Sequence, residues 1–75
     1  MPEHTVSSFD AELKELGRKV VEMGGQAERL VADSVTSLIR RDAALAQRVV
    51  LLDATCDQTQ REIEETSTDV IAKRQ

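Results

Sequence analysis

The feature that most constrains this chain is an apolar repeat that alternates spacings of four and three and stops once, at Arg40-Arg41-Asp42. Before the stop, Phe9, Leu13, Leu16, Val20, Met23, Ala27 and Leu30 keep the rhythm. After it, Leu45, Val49, Leu52, Cys56, Thr59, Ile63, Thr66 and Val70 do the same. Spacings of four and three put each set on one stripe of an α-helix, whereas a strand would need period two. The repeat predicts an all-α chain, an antiparallel hairpin of long helices. Helix one covers about 7–40, the turn falls at 41–42, and helix two covers about 43–74. At about 1.5 Å per residue, helices of roughly 30 residues reach about 45–50 Å.

Local signals support these limits. Ser7 or Ser8 can cap helix one, with Asp10 and Glu12 in the first turn favouring the positive end of its dipole, and residues 1–5 read as a frayed lead-in. After Ala27 the stripe drifts through Val31, Val35 and Leu38, which predicts a slight rotation of the buried face. Gly24-Gly25 falls mid-helix, where each glycine costs about 1 kcal/mol relative to alanine. A mild kink or a close helix contact would account for the pair. Arg40 and Arg41 suit a helix C-terminus, and Asp42 is a good N-cap for the helix-forming run Ala43-Ala44-Leu45-Ala46. A turn this short makes the helices antiparallel. Helix two meets no glycine or proline before Ile71-Ala72-Lys73-Arg74-Gln75, so the chain reads as part of something longer. Val21, Val31, Ile39, Val50, Leu51 and Ile71 widen the apolar surface beyond what a lone pair of helices covers. A third helix or another copy would have to complete it.

Composition narrows the function. Seventy-five residues make at most one domain, with little core unless it packs on something else. One Phe, no Tyr and no Trp argue against a stacking platform for single-stranded nucleic acid, and a net charge of −4 argues against a phosphate-backbone binder. Proteins or cations are the expected partners, not nucleic acid. One cysteine cannot form an internal disulfide, the N-terminal residues lack a signal-peptide pattern, and no window approaches the ~20 apolar residues of a membrane span. These features predict a cytoplasmic chain that does not insert into a membrane.

The sharpest local pattern is Asp53-Ala54-Thr55-Cys56-Asp57, whose carboxylates at i and i+4 face the same way on a helix. Asp53 and Asp57 could hold a divalent cation together or within a larger site. The same spacing also occurs on ordinary solvated helix faces, and two carboxylates are too few for a tight site. Glu62, Glu64, Glu65 and Asp69 extend the acidity of helix two, with Arg61 placed to pair with Glu65. Cys56 lies on the apolar stripe and reads as a buried, inert thiol. Thr59 and Thr66 are polar gaps in that stripe, tolerable if their hydroxyls bond back to the preceding turn. His4 has no fixed partner, and no phosphate loop, triad or cysteine cluster is present. The chain is expected not to be an enzyme.

Several strings in order carry a resemblance. Phe9-Asp10-Ala11-Glu12-Leu13-Lys14-Glu15-Leu16 precedes Glu22-Met23-Gly24-Gly25-Gln26-Ala27-Glu28, followed by Arg41-Asp42-Ala43-Ala44-Leu45-Ala46-Gln47-Arg48-Val49-Val50 and the closing Ile71-Ala72-Lys73-Arg74-Gln75. Together they resemble, over essentially the whole chain, the N-terminal part of the PhoU family of bacterial phosphate-uptake regulators. The resemblance implies the first two helices of a three-helix bundle, while the uncovered apolar stripes themselves predict that this chain self-associates, most simply as a homodimer of two hairpins in a four-helix bundle. It implies a non-enzymatic cytoplasmic regulator of phosphate uptake and phosphate-starvation signalling. Its implied partners are the ATPase subunit of the phosphate ABC transporter and the phosphate sensor histidine kinase. Some members bind metal clusters through carboxylate pairs like Asp53 and Asp57, so the resemblance also implies a divalent or iron/zinc ion here, although no cofactor is required. The companion pair lies on the family's third helix, which leaves such a site half built. The alternatives are a metal-binding helical module and a plain oligomerisation bundle.

Overall fold

A computed structural model describes residues 2–74, with side chains described for residues 8–74. It contains two helices, α1 (Pro2–Arg40) and α2 (Ala43–Arg74), packed side by side as the expected all-α hairpin. The molecule is a rod of 59 × 15 × 13 Å with a radius of gyration of 17.2 Å, against about 11 Å for a compact chain of this length. Helix α1 starts earlier than Ser7 or Ser8, and the backbone of the supposed lead-in is helical from Pro2. Proline at a first helical position presets φ and lacks an N–H that would be left unpaired there. The His4 side chain lies outside the described residues.

The reversal takes two residues because one of them serves both helices. The Arg41 N–H donates to the Leu38 carbonyl (3.3 Å) and the Asp42 N–H to the Ser37 carbonyl (3.0 Å), with Arg41 in the left-handed region at φ 54°. This is a Schellman closure with arginine where glycine is usual. Asp42 then caps α2: its Oδ1 accepts from the Leu45 N–H (3.0 Å), while its carbonyl accepts from the Ala46 N–H (3.0 Å). A cap of this kind is worth about 1 kcal/mol.

Helix α2 packs as its repeat predicts. Leu45, Val49, Leu52, Cys56, Thr59, Ile63, Thr66 and Val70 are all at least half-buried. Thr59, 5% exposed, donates its hydroxyl to the Thr55 carbonyl (3.1 Å), which removes the penalty of a polar group in the seam.

Helix α1 packs differently. The residues turned toward α2 are Phe9, Leu16, Met23 and Leu30, alternating with Glu12, Lys19, Gln26 and Asp33. Leu13 and Val20, expected on the buried stripe, are 44% and 47% exposed, and Ala27 is exposed as well. One helix covers only one groove of its neighbour. The polar row has partners there: Lys19 Nζ donates to Glu62 Oε2 (2.8 Å), and Glu12 meets Lys73 Nζ (3.4 Å) and Arg74 Nη2 (3.5 Å). The predicted rotation of the buried face beyond Ala27 does not occur. Val31, Val35 and Leu38 stay outside, while Asp33, Ser34 and Ser37 take the inner positions. Ser34 donates to the Leu30 carbonyl (2.6 Å) and Ser37 to the Ser34 carbonyl (2.8 Å). Helix α1 runs unbroken through Gly24-Gly25, and a Cβ at either would meet nothing within 4 Å. The hairpin itself contains no close contact at that pair.

Candidate interaction surface

The uncovered half of the α1 stripe forms the most distinctive surface. At 100° per residue, Leu13, Gly17, Val20 and Gly24 share one face with Ala27, Val31, Val35 and Leu38, within a sector of about 80°. Not one of these eight is charged, in a chain whose residues are 32% charged. The strip runs about 38 Å along the rod. At the end away from the turn it opens into a groove of about 460 Å³, lined by Phe9, Leu13 and Leu16 of α1 and by Ser67, Val70, Ile71 and Arg74 of α2. The Arg74 guanidinium lies 4.6 Å from the centroid of the Phe9 ring, a cation–π contact that helps hold this end of the hairpin together.

The opposite edge of the seam is polar and partly paired, with partners on α2 for Lys19 and Glu12 but none for Gln26 Oε1. The hydrogen bond from Lys19 holds the Glu62 carboxyl below the usual carboxylate range, and the same bond raises the Lys19 ammonium. Lys73 is raised by its contacts with Asp69 and Glu12. On the outer surface of α1, Arg18 forks onto Glu15 (2.7 and 3.0 Å) and lowers its carboxyl. Arg61, expected to pair with Glu65, donates instead to Gln58 (3.0 Å). The polar row Glu12, Lys19, Gln26, Asp33 repeats every seven residues, a signal that the four-three apolar stripe alone does not contain. Phe9, Leu16, Met23 and Leu30 share that period, so the two rows together define the seam.

Asp53 and Asp57 are both exposed on α2, about 40° apart around its axis. Among the described residues, no group of three or more His, Cys, Asp or Glu side chains is gathered closely enough to hold a metal ion. The pair on its own therefore falls short of the four ligands of a zinc site or the six to eight oxygens of a calcium site. Cys56 lies in the seam but is only half-buried, less enclosed than the buried thiol its stripe position predicts. No helix of the described residues is long and apolar enough to cross a membrane.

The chain is a long antiparallel helix pair of the all-α class, one flank apolar and open and the other carrying ion pairs. Residues 20–75 match the family model described as PhoU domain, and the chain belongs to that family. It is 51% identical over 72 residues to the phosphate-specific transport system accessory protein PhoU homolog of Rhizobium meliloti (strain 1021), covering 96% of this chain and 30% of the relative. The relative of the same description from Caulobacter vibrioides (strain NA1000 / CB15N) is 48% identical over 75 residues, 100% of this chain and 33% of the relative. The phosphate-specific transport system accessory protein PhoU of Escherichia coli (strain K12) is 35% identical over 72 residues, 96% of this chain and 30% of the relative. The chain thus spans about a third of the length of these relatives. No solved structure matches it.

Proposed function

We propose that the chain acts in the regulation of phosphate transport as a non-enzymatic, cytoplasmic contact module. Its partners in this reading are the ATPase subunit of the phosphate transporter and the phosphate sensor histidine kinase. The observation that carries the reading is family membership over residues 20–75, with relatives named as accessory proteins of phosphate-specific transport. The shape agrees with it. The outer side of α2 presents adjacent Val50 and Leu51, 69% and 68% exposed, as an apolar anchor that the hairpin does not use. Calorimetric titration of the purified transporter ATPase with the 75-residue chain tests the reading. Saturable binding, weakened by Val50→Glu with Leu51→Glu, is expected. Absence of binding to both the ATPase and the kinase would remove the proposal.

A second reading concerns Asp53 and Asp57. Their i, i+4 spacing on an exposed helix face supports a role as two ligands of a divalent or iron/zinc ion, with the remaining ligands supplied from another helix. Metal titration of the chain and of the double variant Asp53→Asn with Asp57→Asn separates this reading from a solvated face. Equal uptake by both chains would leave the pair without a metal role.

A further inference from the structure

We infer that the turn end of the hairpin is a docking plug, and that it fits a concave site on a protein partner with carboxylates on its floor and apolar walls. The inference rests on the proposed role with the transporter ATPase and the sensor kinase, and it names the surface and the chemistry of that contact.

Charge is divided along the rod. Between Asp33, which is turned into the seam, and Asp53, the chain carries Arg40, Arg41 and Arg48 against the single carboxylate of Asp42, a net charge of +2. The whole chain carries −4, so the other residues carry −6. Asp42 Oδ1 is already engaged by the Leu45 N–H. The three arginines are exposed, and none of them is in an ion pair among the described residues, whereas Arg18, Lys19, Lys73 and Arg74 all are. An acidic site is drawn to this end of the rod and repelled by the rest of it, which selects an end-on approach.

Bare aliphatic side chains gather at the same end. Leu38 and Ile39, in the last turn of α1, are 78% and 77% exposed. With Val50 and Leu51 they make four of the five most exposed large apolar residues among those described. Val50 and Leu51 lie about 10–12 Å from the start of α2. Consecutive residues stand about 100° apart on a helix, so each pair spreads round its helix and no flat surface meets all four. They form a collar behind the arginines. That order decides between partners. A lipid interface takes aliphatic side chains deep and keeps arginines shallow, but this tip, entering end-on, would send Arg40 and Arg41 in first. A protein socket accepts both, with carboxylates to meet the arginine forks and apolar walls to meet the collar.

Calorimetric titration of the purified transporter ATPase and of the kinase's cytoplasmic part tests the inference. The unaltered chain should bind at least one of them. Ile39→Gln should weaken that binding about tenfold with helicity unchanged, and Arg40→Glu with Arg48→Glu should weaken it at least as much. Val21→Asp, about 28 Å along α1 from Arg40, should change it less than about twofold. With Arg40→Lys and Arg48→Lys, carbodiimide treatment should join positions 40 and 48 to Asp or Glu side chains of the partner, read by mass spectrometry. Binding that both tip variants keep, or cross-links that avoid positions 40 and 48, would overturn the inference and leave the proposed role standing. No binding of the unaltered chain to either protein would remove both. Co-sedimentation with phosphatidylglycerol vesicles that the tip variants lose would also overturn the inference, because the tip would then read a lipid surface.

Discussion

Helices α1 and α2 keep the same four-three rhythm, yet only α2 buries all of its stripe. Every stripe position of α2, from Leu45 to Val70, faces the seam. Helix α1 turns Phe9, Leu16, Met23 and Leu30 inward, leaves Leu13, Val20 and Ala27 outside, and fills the seam between its inner residues with a polar row. An apolar stripe therefore shows that a helix has something to bury. Which side is covered depends on where the polar side chains find partners on the facing helix.

The comparison can be broken most sharply on α2. Ile63→Asp puts a charge in the seam and should lower stability by at least about 2 kcal/mol in thermal melts followed by circular dichroism, whereas Val50→Asp on the outer face should stay within about 0.5 kcal/mol. Equal losses would mean that the two faces of α2 do not differ. The polar row of α1 offers a change in the opposite direction. Gln26 Oε1 is buried without a hydrogen-bond partner, so Gln26→Leu should stabilise the hairpin by about 1 kcal/mol or more. A loss would show that the amide is satisfied in solution and that the polar row supports the seam. At the junction, Arg41→Gly should add about 1 kcal/mol, because glycine adopts φ near 54° without the steric cost an arginine bears there. An unchanged melting temperature would mean that Arg41 compensates through contacts of its own.

The smallest effect comes from pH. Glu62 has a folded value below 4.5, so its contribution is present above that value and fades as pH falls through the folded one. Lys19 has a folded value above 10.5, so its contribution is present below 10.5 and fades as pH rises through the folded one. The contribution of this pair should be level between those limits, decline slightly outside them, and shrink in salt. If Lys19→Met leaves the acid side of the profile unchanged, the pair is not its source.

The two helices also differed in how legible they were. The hairpin, the turn at Arg41-Asp42 and the cap by Asp42 could be read from the sequence because each rests on local chemistry: a period, a capping side chain, a helix terminus. The seam of α2 was legible because only one face of that helix carries a long apolar run. The seam of α1 was not. Leu13 and Glu12 are neighbours with equal claims on periodicity, and the choice between them depends on Lys73 and Arg74, some 60 residues away in sequence. Gly24-Gly25 posed the same difficulty, since a glycine's reason lies in what approaches it. Asp53 and Asp57 were legible as a pair, but a ligand set is a property of the space around them, and spacing along one helix supplies only two of its members.

The rod's narrow cross-section has a calorimetric consequence. Among the described residues only Ser37, Thr59 and Val70 are fully buried and Val21, Leu38 and Ile39 are more than 70% exposed, so the isolated hairpin should melt with a smaller heat capacity change than a compact domain of its length. Whatever covers the strip of α1 creates the interior that the hairpin lacks, so docking and core formation become one event. That event should register as a negative heat capacity change of binding comparable to that of folding a small domain, even where the enthalpy at room temperature is close to zero.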